Sequence, residues 1–414
     1  MLTPRMTLAR RVTAALDASP SRIPVLLGGC GSGRTTLLQQ LRERIGRTSA
    51  QHVDVERTAS TPERFLRAVT SVSPFPSTET SSPGSAGSPT TPGATSARAA
   101  FDATLAFFTR AHTAASEPAT FLLDEFLELR TFESFPGLRR VQHDLIDGLT
   151  ASGNRFVLTS RYVARALRLL RDRSARFEVI HMPALTVEDT LDILGPTGPP
   201  LASDHGADAD YLARTVQSLA DGRPAYVRAL ADELAVMREH GARGGAGGAG
   251  VPGIPGFNDP VGALAALLAP DGRLARQCSF SYELRLHRAR GYGALKAILE
   301  ILADDEGLTL TEISHRMQRT PGSTKDYLSW LEDVDLVTSR QKRYTFTDPL
   351  LRVWVRLYCR ASAPSEDDLA REVHRYALPR LPQVPQDVAP APAPRTEPAF
   401  AMAGGPASGI IEID

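Results

Sequence analysis

The chain has 414 residues, 42% apolar and 23% charged, with 47 basic against 47 acidic side chains. That length exceeds what one hydrophobic core serves, so two or more domains are expected. The balanced charge excludes a bulk attraction to nucleic acid or to an anionic membrane and leaves only local patches to supply one.

Three cysteines, Cys30, Cys278 and Cys359, lie too far apart for a C-x-x-C metal or redox pair. They fit a reducing compartment without a disulfide framework. No stretch approaches the roughly 20 apolar residues of a membrane span. Arg5, Arg10 and Arg11 are followed by Asp17 and Pro20 instead of a long apolar run, so a signal peptide is not expected. A cytoplasmic protein without a membrane partner is expected.

In chain order, Thr7 to Leu16 reads as an amphipathic helix with Leu8, Val12 and Leu16 on one side. Ile23 to Leu27 is a buried strand, and Thr35 to Ile45 is the helix that follows it. Between them stands Gly28-Gly29-Cys30-Gly31-Ser32-Gly33-Arg34-Thr35-Thr36. Gly28 and Gly33 have the spacing of a phosphate-binding loop, G-x-x-x-x-G-K-[ST], with Thr35 at the hydroxyl position and Arg34 where lysine is usual. Glycines let successive backbone N–H groups curl around a phosphate, and the next helix presents its positive end to the same anion. The Thr35 hydroxyl is placed to hold Mg²⁺.

A second strand is expected at His52 to Val55, and Thr61-Pro62-Glu63 opens a helix by its cap-then-proline pattern. From Pro74 to about Ala97 the composition turns to Ser, Thr, Pro, Gly and Ala. That stretch has little to bury and reads as a disordered insertion within a domain. Phe101 to His112 is helical, Phe121 to Leu123 a strand ending in Asp124-Glu125, and Leu138 to Leu149 a helix. Arg155 to Thr159 is the next strand, ending in Thr159-Ser160-Arg161. A helix carrying Arg165, Arg168 and Arg171 and a fifth strand at Phe177 to Ile180 follow. Alternating strands and helices predict a parallel sheet covered on both faces.

Thr186 caps a helix whose first turn holds Glu188 and Asp189. Two more helices, Asp208 to Ala220 and Pro224 to His240, meet at Asp221-Gly222-Arg223-Pro224. Gly241 to Gly256 is a flexible linker. Leu295 to Leu302, Leu310 to Met317 and Thr324 to Leu331 then mark three helices. A hairpin of Leu336-Val337 with Tyr344 to Phe346 makes them a winged helix-turn-helix. Asp348-Pro349 starts a last helix with Trp354 and Tyr358, and beyond Pro379 the tail is Pro/Ala-rich.

The acids give the phosphate loop its chemistry. Asp124 at a strand end would complete a Mg²⁺ shell, and Glu125 beside it would polarise an attacking water. Arg161 stands where the carboxyl edge of such a sheet meets its ligand crevice. Ser160 alone reads as a helix cap. Arg34 keeps the attraction for phosphate, but it is longer and planar and prefers bidentate contact. Binding is therefore the firmer expectation and turnover the weaker one.

With these pieces in hand, the chain resembles the archaeal-type P-loop ATPases, related to the STAND and Orc/Cdc6-like groups. The matching residues are Gly28 to Thr36, the strand into Asp124-Glu125-Phe126, Leu158 to Arg161, Gly222-Arg223-Pro224, and Tyr344 to Trp354. The resemblance implies an α/β fold: an additional-strand, AAA-like parallel core with a helical lid and a carboxyl-terminal winged helix. By the same likeness Arg161 is a first sensor, and Pro224 packs near the nucleotide from the lid.

The expected organisation is a helix over 1–22, an ATPase core over 23–185 with the insertion at 74–97, and a lid over 186–240. A linker at 241–256, a winged-helix region over 257–362 and a largely disordered tail over 363–414 complete it. ATP and Mg²⁺ are the expected cofactors, and slow hydrolysis driving a regulatory switch is the expected activity, with a protein partner. A DNA-binding regulator that holds ATP without hydrolysing it is the alternative. The wing Arg340-Gln341-Lys342-Arg343 favours DNA, while Asp326, Glu332 and Asp333 on the third helix oppose it.

Overall fold

The alternation of apolar segments dictates a sheet buried on both faces. The computed structural model describes residues 6–76, 96–171, 173, 175–195, 205–244, 259–287, 291–360 and 362–382. Most of the expected insertion, linker and tail lies outside the described residues. Five parallel strands form the main sheet: β1 (Ile23–Leu27), β2 (Ala50–Asp54), β3 (Thr120–Asp124), β4 (Arg155–Ser160) and β5 (Phe177–His181), in the order β2-β3-β4-β1-β5. The strand that ends at Ser160 thus lies between the one that feeds the glycine loop and the one that ends in Asp124. Its register sets Leu27 beside Ser160, and Asp54 sits beside Asp124 across β2 and β3.

Side chains alternate between two layers. Leu26, Leu122, Val157 and Ile180 pack on α1 (Met6–Leu16) and α2 (Arg34–Ile45) through Leu8, Val12, Leu37 and Leu41. Val25, Phe121, Leu123, Phe156 and Leu158 face the other way. They meet α3 (Val55–Thr58), α4 (Pro62–Ser71), α5 (Ala97–Arg110), α6 (Val141–Ala151) and α7 (Val163–Leu170). This second layer is aromatic, with ring centroids 4.8 Å apart for Phe108 and Phe121 and 5.6 Å for Phe121 and Phe156. Such pairs contribute about 0.5–1.5 kcal/mol each beyond burial. Phe75, expected in the insertion, is buried here and lies 5.2 Å from Phe121.

Helices then take over: α8 (Val187–Leu194), α9 (His205–Leu219), α10 (Pro224–Gly244), α11 (Pro260–Leu268) and α12 (Arg273–Leu286). α8 starts on a capping box in which Thr186 and Asp189 satisfy each other's backbone N–H. After α13 (Tyr292–Asp304) come β6 (Leu308–Thr309), α14 (Leu310–Arg316), α15 (Pro321–Asp333), β7 (Val337–Arg340) and β8 (Arg343–Phe346). α16 (Pro349–Tyr358) and α17 (Glu366–Ala377) close the described chain. β6, too short for a sequence pattern, joins the expected hairpin in a three-stranded antiparallel sheet, β6-β8-β7.

α11, α12 and α17 were not legible in the sequence, and their packing departs from the expected boundaries. α11 shares a core with α9 and α10 through Leu264, Leu268, Val216 and Leu230. α17, in the stretch read as tail, buries Val373 and Tyr376 in that same core and pairs Glu372 with Arg356 at 2.6 Å. α16 joins two cores: Leu350, Val353 and Leu357 enter this one, and Leu351, Trp354 and Val355 enter the core of α12 to α15. The described residues up to Leu381 accordingly form one compact unit.

Candidate functional site

The glycine loop leaves β1 at Leu27 and ends at Gly33, which opens α2. Gly31 and Gly33 have φ of 77° and 84°, a left-handed conformation costly for other residues. As N-cap, Gly33 supplies no side chain to the first turn of α2, which leaves that turn's positive end for an anion. Beside it lies a cavity of about 310 Å³ lined by the loop from Gly31 to Thr36 and by Pro224, Ala225 and Arg228 of α10. Pro224 faces Gly33 across this space, and the Ala225 N–H donates to Gly31 O at 3.2 Å.

The acids of β3 arrive from the next strand but one. Asp124 accepts from the Thr159 hydroxyl at 2.5 Å, and His52 Nε2 stands 3.6 Å from its other oxygen. Burial pushes the Asp124 carboxyl up, but His52, Thr159 and Thr35 together hold it below the ordinary value. It is therefore a carboxylate beside the Thr35 hydroxyl, a hard-oxygen donor set that fits Mg²⁺ when phosphate oxygens complete the shell. Among the described residues no cluster of three or more acidic, His or Cys side chains could hold a metal alone.

Glu125 takes a left-handed backbone, φ 56°, which turns it back toward the loop. Its N–H donates to Thr159 Oγ1 at 3.0 Å. Arg34 Nη2 donates to Glu125 Oε1 at 2.6 Å, while its Nη1 donates to Gly29 O at 2.7 Å and Ser32 Oγ at 3.0 Å. Arg161 adds its own N–H to Oε2 at 2.9 Å and its Nε at 3.3 Å from Oε1, and pairs with Glu56. Burial would raise the Glu125 carboxyl, yet Arg34 and Arg161 hold it below the ordinary value. The expected general base is thus ionised, but both its oxygens are engaged.

Sequence reasoning missed the loop's partners from the carboxyl-terminal half. Arg223 Nη1 donates to Cys30 O at 3.1 Å and to Asp348 Oδ2 at 3.1 Å, and its Nη2 donates to Thr347 O at 2.6 Å. Arg285 of α12 donates from Nη2 to Cys30 Sγ at 2.8 Å and from Nη1 to Asp335 O at 2.6 Å. Burial would raise the Cys30 thiol, but Arg285, Arg161 and Arg34 bring it below the ordinary value. Asp335, with Oδ2 buried and without a hydrogen-bond donor among the described residues, is pushed up to about 6 by burial despite Arg285 and Arg223. The only sequence signal for these contacts was Arg223 within its Gly-x-Pro turn. Arg165 and Arg168 are also used: Arg168 pairs with Asp333 of α15, and Arg165 is half-buried.

A parallel sheet in this order, with a glycine loop after β1 and adjacent acids after β3, defines a P-loop ATPase fold of the additional-strand kind. Among solved structures, the chain is similar to the Walker-type ATPase paby2304 of Pyrococcus abyssi at 14% identity and a TM-score of 0.54, covering 85% of this chain and 95% of that one. It is also similar to the Aeropyrum pernix Orc1 protein in complex with DNA, at 15% identity and a TM-score of 0.42, with 90% and 92% covered. The Aeropyrum pernix Orc2 protein, in its ADP form, matches at 16% and 0.38, with 91% and 93% covered. No family model and no curated protein matches the chain. The resemblance to archaeal P-loop ATPases therefore holds at the level of the fold. None of the described helices is long and apolar enough to cross a membrane.

Proposed function

We propose that this chain binds ATP with Mg²⁺ in the glycine loop and hydrolyses it slowly, as a switch read by its carboxyl-terminal helices. The observation that carries the reading is the buried pair of Arg34 with Glu125 beside an uncapped helix start. Gly28 to Thr36 would wrap the phosphates, with Pro224 closing from α10. Mg²⁺, held by Asp124 and Thr35, would supply charge neutralisation on the phosphates.

What this chain's residues do follows from their pairing. Arg34 is the cation nearest the loop, and phosphate offers it a stronger bidentate partner than a single carboxylate oxygen. When Arg34 turns to phosphate, Glu125 loses one partner and becomes free to take a proton from water. Arg161 still holds the other oxygen, which orients Glu125 and slows its use. Catalysis is gated by this exchange, so binding exceeds turnover.

The coupling outward runs through Arg223, just before α10, and Arg285 of α12, which both touch Cys30. We read α13, α14 and α15 with β6, β7 and β8 as a winged helix, the core as 23–185, and the lid as 186–240 extended through α11. The packing of α15 argues against DNA reading by that helix: Asp333 pairs with Arg168 of α7, and Trp330 lines a cavity shared with α7 and α12. The wing, Arg340 to Arg343, is exposed, and Arg340 and Lys342 would meet a phosphate backbone or a protein partner there.

Phosphate release by the wild type and by Glu125→Gln tests the reading. Slow release in the first and a loss of roughly a hundredfold or more in the second is expected. Equal rates would remove Glu125 from the mechanism.

A further inference from the structure

Besides the phosphate loop, a second polar cavity of about 320 Å³ lies between α7 and the helices α12 and α15. It shares no lining residue with the first. We propose that this cavity is a binding site for a small organic anion, a phosphate or carboxylate group carried on a flat apolar body.

Three guanidinium groups line it, and none is saturated. Among the described residues Arg165 reaches Gln142 Oε1, at 3.5 Å, and Arg130 reaches Glu133 Oε2, also at 3.5 Å. Arg285, 5% exposed, spends both terminal nitrogens on Asp335 and Cys30, while its Nε is buried without an acceptor among the described residues. The carboxylates facing the same space are engaged: Glu56 pairs with Arg161, and Glu128 accepts from the Tyr162 hydroxyl at 2.8 Å. Three guanidinium groups thus share the lining with two carboxylates. Burial first, and then Arg130, push the Arg165 guanidinium down to about 10, although Glu133 and Glu128 act the other way. Guanidinium groups in this state bind planar oxyanions bidentately.

Trp330 of α15 and Val334 just after it add aromatic and apolar surface to the lining. A flat body stacks on indole while its charged head meets the arginines. The volume admits a single ring with its head group. Because Arg285 also holds Cys30, an occupant that draws on Arg285 acts on the phosphate loop.

Trp330 is one of two tryptophans and the one in this cavity; Trp354 stacks on Tyr358 in another core. Phenyl phosphate and benzoate, titrated into the full chain with and without saturating Mg-ATP, are read by tryptophan fluorescence. A saturable change with at least one probe, kept in the presence of Mg-ATP, is expected, and the tighter probe identifies the head group. Arg165→Gln and Arg130→Gln should each weaken it roughly tenfold or more. Arg130 is exposed on the short helical segment Phe126–Ser134, so its variant keeps the fold. No saturable change with either probe, equal affinity in both variants, or a signal abolished by Mg-ATP would overturn the proposal.

Discussion

Arg34 Nη2 and Glu125 Oε1 stand 2.6 Å apart, and both side chains are less than a tenth exposed. The residue that should hold the terminal phosphate is paired with the residue that should activate water. A lysine here would be shorter, with a single compact charge. Arg34→Lys should free Glu125 and raise the rate of phosphate release roughly tenfold or more, since small shifts of reacting groups change rates steeply. A rate at or below that of the wild type would contradict this.

Glu125→Gln separates binding from chemistry. Glutamine keeps the shape and accepts from Arg161 N–H, but it cannot take a proton. Affinity for Mg-ATP should stay within a few-fold or rise, because Arg34 no longer has a carboxylate to leave. Parallel titrations of both proteins check this; a large loss of affinity would mean that Glu125 holds the site open instead.

Asp335 gives a pH dependence with a definite sign. Its carboxyl is pushed up to about 6 from an ordinary 3.8. A raised carboxyl binds its proton more tightly in the folded state, so its contribution to stability is full below about pH 4 and lost as pH rises through about 6. Asparagine tolerates the left-handed backbone at this position, φ 58°. Asp335→Asn should therefore gain stability relative to wild type between about pH 4 and pH 7, by roughly 2–3 kcal/mol at most. Thermal unfolding of both proteins at the two pH values measures it, and parallel curves would refute it.

Arg223 joins the phosphate loop to the run Thr347-Asp348 that starts α16. Removing it leaves Asp348, 6% exposed, with the Tyr226 hydroxyl and two backbone N–H groups. Arg223→Ala should cost about 2–4 kcal/mol in urea unfolding. It should also raise amide exchange over 344–358. Arg223→Lys should recover only part of this, because one ammonium cannot span three acceptors. A loss near zero in the alanine variant would mean that the loop and α16 are not coupled.

The sheet and its site were legible because their signals are local. β1 and β3 are continuous apolar runs, and the residues that follow each are a glycine loop and an acid pair. The position of β4 between them followed from family likeness and holds in the sheet order. Thr186, Ser365 and Asp348 illustrate the other local signal, the helix cap, of which the first and last were read. Arg285 was not legible because its meeting with Cys30 spans 255 residues and has no pattern. The Arg34–Glu125 pair was hidden for a different reason. Both residues were assigned to a ligand, and nothing in sequence says what a buried charge does before that ligand comes. α17 was missed because its charged surface masks the few apolar side chains, Val373 and Tyr376, that it buries.

The central claim is that the glycine loop holds ATP despite Arg34. Calorimetric titration of Mg-ATP into the full chain tests it directly. Saturable binding with one site per chain, abolished when ATP is replaced by adenosine, is the predicted result, because the loop recognises phosphate. No heat of binding at millimolar Mg-ATP would contradict it.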